Sequence, residues 1–374
     1  MDAETLTRPA VRVRPLDAAS MPAWDAWVAA HPDATFFHRA GWKRVIESSF
    51  RHRCPFLMAE AGGAIRGVLP LVHVRSRLFG NALVSSAFCV YGGPLAADEA
   101  AARALDAAAL ELAATLKVDH LEYRLRPPLQ SPLQSSPSPQ SSPHVSGHTA
   151  SWRALWPCNA DLYATFRKAL DPDPEKNLLA IPRKQRAVVR KGIKNALEVR
   201  IETDLASFFP LYAESRRDLG TPIFPKTLFR TLMAEFGPDC EVATVYQQAT
   251  PVATLMTFYF RDEVLPYYGA GAAAARACGA YDVMYWDVMR RACERGYRIF
   301  DFGRSKRDTG AWAFKKHWGF EPQPLHYQYK LLKRDSIPSV NPSNPKYQLF
   351  ISLWRRLPIP LANAIGPAFS RSLG

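Results

Sequence analysis

The sequence predicts an α/β protein built from two similar domains in tandem, each around a mixed central sheet. Three observations carry this. One order of elements (hairpin, strand, Tyr-Gly loop, helix, strand) runs through the chain twice. Its 374 residues are enough for two ordinary cores. Apolar residues recur at helical spacing over 281–294, and the strand that follows alternates.

In the first half, Pro55–Ala61 and Ala64–Val74 read as strands joined by Gly62-Gly63, a hairpin signal. A third apolar run, Leu83–Tyr91, ends at Gly92-Gly93. An Ala/Leu-rich helix over Asp98–Lys117 and a strand at Leu121–Leu125 follow. In the second half, Cys240–Tyr246 and Val252–Phe260 form the matching hairpin, and Val264–Tyr268 ends at Gly269-Ala270-Gly271. A helix over Tyr281–Glu294, closed by Gly296, leads to a strand at Arg298–Phe302. Each copy is preceded by a helical stretch, Ala40–Ser49 and Lys226–Phe236. Domains are expected over 1–180 and 181–335, with an amphipathic extension over 336–374 that docks on the first domain or lies on a membrane. Residues 127–150 are rich in Pro, Ser and Gln and read as a disordered insertion between strand-like Asp119–Arg126 and Ser151–Trp156.

Lys and Arg exceed Asp and Glu by 48 − 34 = 14, a balance that favours polyanions or phosphorylated partners. Much of the excess lies in 181–200, where Arg183, Lys184, Arg186, Arg190, Lys191, Lys194 and Arg200 face a single acid, Glu198. At helical pitch the cations from Arg183 to Lys194 share about half the circumference. That face suits tRNA or anionic lipid, or is an ordinary solvated helix surface. Six scattered cysteines form no C-x-x-C motif, and reduced thiols in a cytoplasmic protein are expected. No secretory signal or membrane-spanning run is legible, so a cytoplasmic location, peripheral at the inner membrane face, is expected. Nine histidines without H-E-x-x-H give no metal site. Asp301-Phe302-Gly303 without a Gly-rich loop or V-A-I-K strand is no kinase signature, and no G-x-S-x-G elbow occurs.

The richest segment runs from Phe300 to Phe320. In the strand Arg298–Phe302, Ile299 and Asp301 share one face and Phe300 and Phe302 the other. Asp301 thus ends a strand beside a glycine turn, where open α/β sheets tend to place ligands. The helix before it carries an apolar stripe of Tyr281, Met284, Tyr285, Val288, Met289 and Ala292. After it come the polar Gly303-Arg304-Ser305-Lys306-Arg307 and a short helix with Trp312, Phe314, Lys315, Lys316 and Trp318.

Tyr281–Trp286, Asp301-Phe302-Gly303 and Phe314-Lys315-x-x-Trp318-Gly319-Phe320 resemble the FemAB-type transferases, nearest the branch associated with exosortase and exopolysaccharide (PEP-CTERM) systems. The likeness spans roughly 36–330, and Gly366-Pro367-x-x-Ser370-Arg371 resembles the same branch. It implies two tandem acyltransferase domains of the GNAT type. It also implies acyl or aminoacyl transfer to an amine or hydroxyl of a cell-envelope or exopolysaccharide precursor. In that family the lysine after an aromatic residue meets the substrate, which puts Lys315 beside a tetrahedral oxyanion; one such donor is worth roughly 3 kcal/mol.

Asp301 would orient or deprotonate the acceptor, or else cap its own turn. Arg304, Ser305, Lys306, Tyr267, Tyr268, Phe314 and Trp318 would line the substrate, or form a solvated loop and a core. Gly269, Gly271, Arg276 and Gly279 would cradle the pyrophosphate of an acyl-coenzyme A, or make a plain Ala/Gly loop; Tyr281, where the GNAT pattern wants Gly or Ala, weakens coenzyme A against aminoacyl-tRNA as donor. Two other readings stay open: a non-catalytic membrane-surface module of a polysaccharide assembly system, and a coenzyme A-dependent N-acetyltransferase.

Overall fold

The computed structural model describes residues 10–76, 80–127, 151–153, 155–338 and 345–372. In it the duplication is explicit. In the second half, Cys240–Gln247, Thr250–Phe260 and Glu263–Gly271 form an antiparallel meander. Glu263–Gly271 then pairs in parallel with Ile299–Asp301, reached through the helix Ala280–Glu294. In the first half, Gly80–Ser85 pairs in parallel with His120–Leu125, reached through the helix Glu99–Thr115. A helical crossover is what parallel strands require.

The copies differ at one proline. Ala64–Leu69 and Leu71–Ser76 are separated by Pro70, which has no N–H for a ladder. The run expected as one strand over Ala64–Val74 therefore joins two sheets. One holds Arg12–Pro15, Leu57–Ala61, Ala64–Leu69 and Leu95–Ala96; the other holds Leu71–Ser76, Gly80–Ser85 and His120–Leu125. The equivalent Thr250–Phe260 runs unbroken through 11 residues.

The halves also exchange a strand. Tyr163–Ala169 lies antiparallel to Ile299–Asp301 of the second half, with Asp301 opposite Arg167. Reciprocally, His326–Leu331 lies antiparallel to His120–Leu125 of the first. The strands thus cross the 180/181 division of the chain in both directions. A large aromatic cluster, including Phe36, Phe37, Trp42, Phe236 and Phe258, fills the space between the halves.

Two further sequence expectations need correction here. Ser151–Arg153 forms a single 3₁₀ turn rather than a strand, because Arg153 is drawn under the sheet to Asp106, with Nε to Oδ2 at 2.6 Å. Leu83–Tyr91 is strand only to Ser85; left-handed Ser86 and Phe88 then turn the chain so that Tyr91 reaches the other half. The insertion expected over 127–150 lies outside the described residues apart from Pro127.

The C-terminal extension forms the helices Pro345–Arg355 and Ile359–Ser370. It packs mainly on Phe208–Asp218 of the second half, and reaches the first through His52 Nε2, 2.6 Å from the Arg371 carbonyl.

Candidate functional site

The parallel pair of the second half is short. Its ladder ends at Val264–Phe300. Beyond that pair the strands part. Glu263–Gly271 continues along Thr250–Phe260, whereas the other arm follows Tyr163–Ala169 through Ser305 and Lys306. The notch between the arms carries Tyr267, Tyr268 and Gly269 on one side and Phe302-Gly303-Arg304 on the other.

Asp301 anchors the second arm and is fully buried. Its carboxylate accepts from the Gly303 amide at 2.7 Å, the Thr165 hydroxyl at 3.0 Å and the Tyr91 hydroxyl at 3.0 Å. Tyr91 belongs to the first half and Thr165 to the exchanged strand, so three segments meet on one side chain. Arg167 Nε stands 3.6 Å away, and Arg167 and Arg126 both pair with Glu263 at 2.6 Å. Burial raises the Asp301 carboxyl, with Arg167 opposing. Burial would also raise Glu263, but Arg126 and Arg167 outweigh it and hold Glu263 below its ordinary value. In this arrangement Asp301 caps its own turn and ties the halves together; its oxygens offer no face to a ligand.

Lys315 comes from the helix Gly310–His317, whose start is fixed by the Thr309 side chain accepting from the Trp312 amide at 3.4 Å. Its Nζ donates to the carbonyl oxygens of Phe302 at 2.7 Å, Gly303 at 2.8 Å and Arg304 at 3.2 Å. An ammonium has three donors, and all three are engaged. Lys315 is buried and Lys316 exposed, so the adjacent lysines have separate environments. Burial pushes the Lys315 ammonium down to about 7, with nearby Asp301 opposing and Arg304 adding to the fall.

Arg304 lies over the Tyr163 ring at 4.5 Å and donates from Nη1 to the Tyr327 hydroxyl at 3.1 Å; Tyr327 passes a hydrogen bond to the Val90 carbonyl at 2.9 Å. It therefore sits on the seam between the halves. Ser305 is buried with an unpartnered Oγ, and Lys306 is half-buried. Tyr267 is half-buried against Phe37 and Phe258, each at 5.2 Å. Tyr268 is buried and its hydroxyl has no partner. Burial pushes both phenols well above their ordinary value. Trp318 is core, its Nε1 donating to Asp282 at 3.0 Å, and Phe314 leans on Tyr285 at 5.5 Å.

Gly269 and Gly271 are strand residues rather than loop. A Cβ on Gly269 would come within 2.9 Å of the Tyr285 hydroxyl, and one on Gly271 within 2.8 Å of Tyr281. Their role is to let two tyrosines of the following helix lie against the strand end. Gly279, at φ +81°, begins that helix in a conformation glycine favours. Its open side is covered by Gly192 and the Val188 carbonyl of the basic helix. Arg276 is exposed, apart from the notch residues.

One residue had no signal in the sequence. Arg216, from the helix Phe208–Asp218, lies over Tyr212 at 5.1 Å and donates to the Gly269 carbonyl at 3.4 Å; its Nε is buried without a partner. Its stacking on Tyr212 is an ordinary i,i+4 helix pair, whereas the Gly269 contact that brings it to the notch joins residues far apart in the chain and leaves no local pattern. Among the described residues no group of His, Cys, Asp or Glu is arranged for a metal, and no helix is long and apolar enough to cross a membrane.

Residues 183–316 match the family model described as an acetyltransferase (GNAT) domain. Solved structures match almost the whole chain. FemX is 16% identical with a TM-score of 0.63, covering 91% of this chain and 100% of its own. A tandem GNAT protein from the clavulanic acid biosynthesis pathway is 14% identical with a TM-score of 0.53, covering 87% and 100%. The fold is two GNAT domains in tandem. L-PGS from Bacillus licheniformis is 12% identical with a TM-score of 0.55, covering 92% and 99%. No curated protein sequence matches the chain. In this tandem GNAT fold the notch belongs to the second domain, and the first domain supplies Tyr91 to its foundation.

Proposed function

We propose that the protein is an acyl or aminoacyl transferase of the FemAB kind, transferring to an amine or hydroxyl of an envelope or exopolysaccharide precursor. The observation that carries this is the parting of the parallel strands after Val264–Phe300, with one arm pinned by Lys315. Lys315 and Asp301 take up the backbone groups of Phe302-Gly303, so the strand side left without a parallel partner is Tyr267–Gly269, whose amides a substrate oxyanion would use.

The roles follow from placement. Arg304 and Arg216 flank the notch with positive charge for an anionic or carbonyl-bearing substrate. Tyr267 and Tyr268 give it an aromatic wall, with the Tyr268 hydroxyl buried without a partner. Lys315 and Asp301 act as positioning residues, holding Phe302-Gly303-Arg304 in shape. The cover over Gly279 by the basic helix, and Tyr281 against Gly271, favour an aminoacyl-tRNA donor over coenzyme A. Direct transfer in a ternary complex is the simpler chemistry, since no activated nucleophile stands at the notch among the described residues.

The test is turnover with aminoacyl-tRNA and with acyl-coenzyme A donors against envelope precursor amines and sugars. Wild type is compared with Arg304→Ala, Arg216→Ala and Asp301→Asn. Transfer by wild type, reduced at least tenfold in both arginine variants, supports the reading. No transfer from either donor, or full activity in both arginine variants, overturns it.

A further inference from the structure

We propose that the helix Arg183–Lys194 is a docking surface for an anionic phospholipid bilayer. The inference does not depend on the transferase reading and is tested without turnover. The helix is held to the protein along one side only. Val189 and Gly192 are buried, Gly192 packs on Val283 and Gly279, and Gln185 Nε2 donates to Asp282. At 12 residues it is about 18 Å long. Arg183, Lys184, Arg190, Lys191 and Lys194 are exposed on the opposite side, and Arg186 is half-buried with a hydrogen bond to the Leu179 carbonyl at 2.5 Å.

These cations have no carboxylate to neutralise them. No Asp or Glu occurs from Arg183 to Leu197. The next acid, Glu198, is paired with Arg200 at 2.5 Å. Among the described residues, none of the helix cations forms an ion pair with a carboxylate from elsewhere in the fold. The surface is therefore complementary to a dense array of phosphates.

Two features select a lipid surface among phosphate arrays. Exposed apolar side chains flank the charge: Ile193 is 50% exposed and Leu179, beside Arg186, is 57% exposed. The bilayer interface accepts apolar tips next to cations, whereas a nucleic-acid backbone gives them no partner. Moreover, no aromatic residue occurs between Leu179 and Leu197, so there is no platform on which unpaired bases could stack. The surface also has a mechanical connection to the notch. Asp282 receives Gln185 of the basic helix and Trp318 Nε1 together, and Trp318 follows the helix that carries Lys315. A membrane bound at Arg183–Lys194 would lie next to the second domain's site and orient it toward membrane-borne acceptors.

Vesicle sedimentation of the full chain tests this. Vesicles of phosphatidylcholine with roughly one third phosphatidylglycerol are compared with pure phosphatidylcholine, at ~0.05 M and ~0.5 M salt. The expected result is binding to the anionic vesicles alone, falling with salt. Lys191→Ala with Lys194→Ala should weaken it by roughly tenfold or more. Lys226→Ala with Arg230→Ala, which removes the same charge from another exposed helix, should leave it unchanged. All the altered cations are exposed, and coincident thermal melts establish that each variant is folded. Absence of binding to anionic vesicles, equal binding to neutral ones, or equal loss in both double variants overturns the proposal. So does tighter binding to a short RNA duplex than to the vesicles at the same salt, which would assign the face to nucleic acid.

Discussion

Lys315 Nζ lies 2.7 Å from the carbonyl oxygen of Phe302, the residue next to Asp301. Asp301 grips the same turn from the other end, through the Gly303 amide at 2.7 Å. A buried lysine and a buried aspartate thus hold one three-residue arm by its backbone. This is why Lys315→Met is a stringent test. It leaves three carbonyls without their donor, at a cost of about 1–3 kcal/mol for each that water does not reach. Urea unfolding should show a loss of at least about 2 kcal/mol; an unchanged midpoint would remove the staple role.

Lys315 also carries a pH signature. Its folded value is about 7, below the ordinary lysine value of 10.5. Between those values the unfolded chain binds the extra proton, so stability contributed at this position rises with pH, by at most ~1.4 kcal/mol per unit. Wild type should gain on Lys315→Met between pH 7 and pH 9, measured by denaturant titration at each pH. A constant difference across that window contradicts a depressed lysine.

His38 predicts acid lability. It is buried, its Nε2 donating to the Gly93 carbonyl at 2.9 Å and its Nδ1 accepting from the Thr35 amide at 3.1 Å. Burial lowers it to about 3 from 6.5. In that window the unfolded chain takes up a proton that the folded one refuses, so stability is lost as pH falls, on the order of 4 kcal/mol in all. His38→Gln should remove this part of the acid transition, followed by tryptophan fluorescence. An identical acid midpoint in the variant would rule it out.

Gly192 sets the seat of the basic helix. A Cβ there would run into Val283 Cγ2 and come within 3.2 Å of the Gly279 carbonyl. Gly192→Ala should cost roughly 1–3 kcal/mol through overpacking. Val283→Ala in the same chain should recover much of it, since the methyl that clashes is gone. A double variant no more stable than Gly192→Ala would place the strain elsewhere.

The strand exchange predicts a single unfolding unit. Tyr163–Ala169 and His326–Leu331 each complete the other half's sheet, and Arg126 pairs with Glu263 across the halves. Calorimetry should give one cooperative transition for the two domains. Residues 181–335 expressed alone would lack the strand that pairs with Ile299–Asp301 and should show no cooperative melt; a sharp transition from that fragment would contradict the exchange.

The elements themselves were largely legible. The meander from Cys240 to Tyr268, the helix ending at Gly296 and the strand reaching Asp301 are written in local periodicity and in glycine chemistry. So was the possibility that Asp301 caps its own turn, since an Asp two residues before a glycine amide has that bond within reach. Pro70 lay inside a run read as one strand, and only the structure shows that it divides that run between two sheets.

By itself, the sequence determined the duplication, the α/β class and the position of the unneutralised basic helix. Each depends on residues a few positions apart, whose spacing dictates which face they share. Only the tertiary structure decided that the last strand of each half crosses to the other, that Tyr91 supports Asp301, that Arg216 reaches Gly269, and that Lys315 spends its three donors on one turn. Those contacts join residues far apart in the chain. Their partners are selected by packing and by the need to satisfy buried polar groups, and neither leaves a local pattern to read.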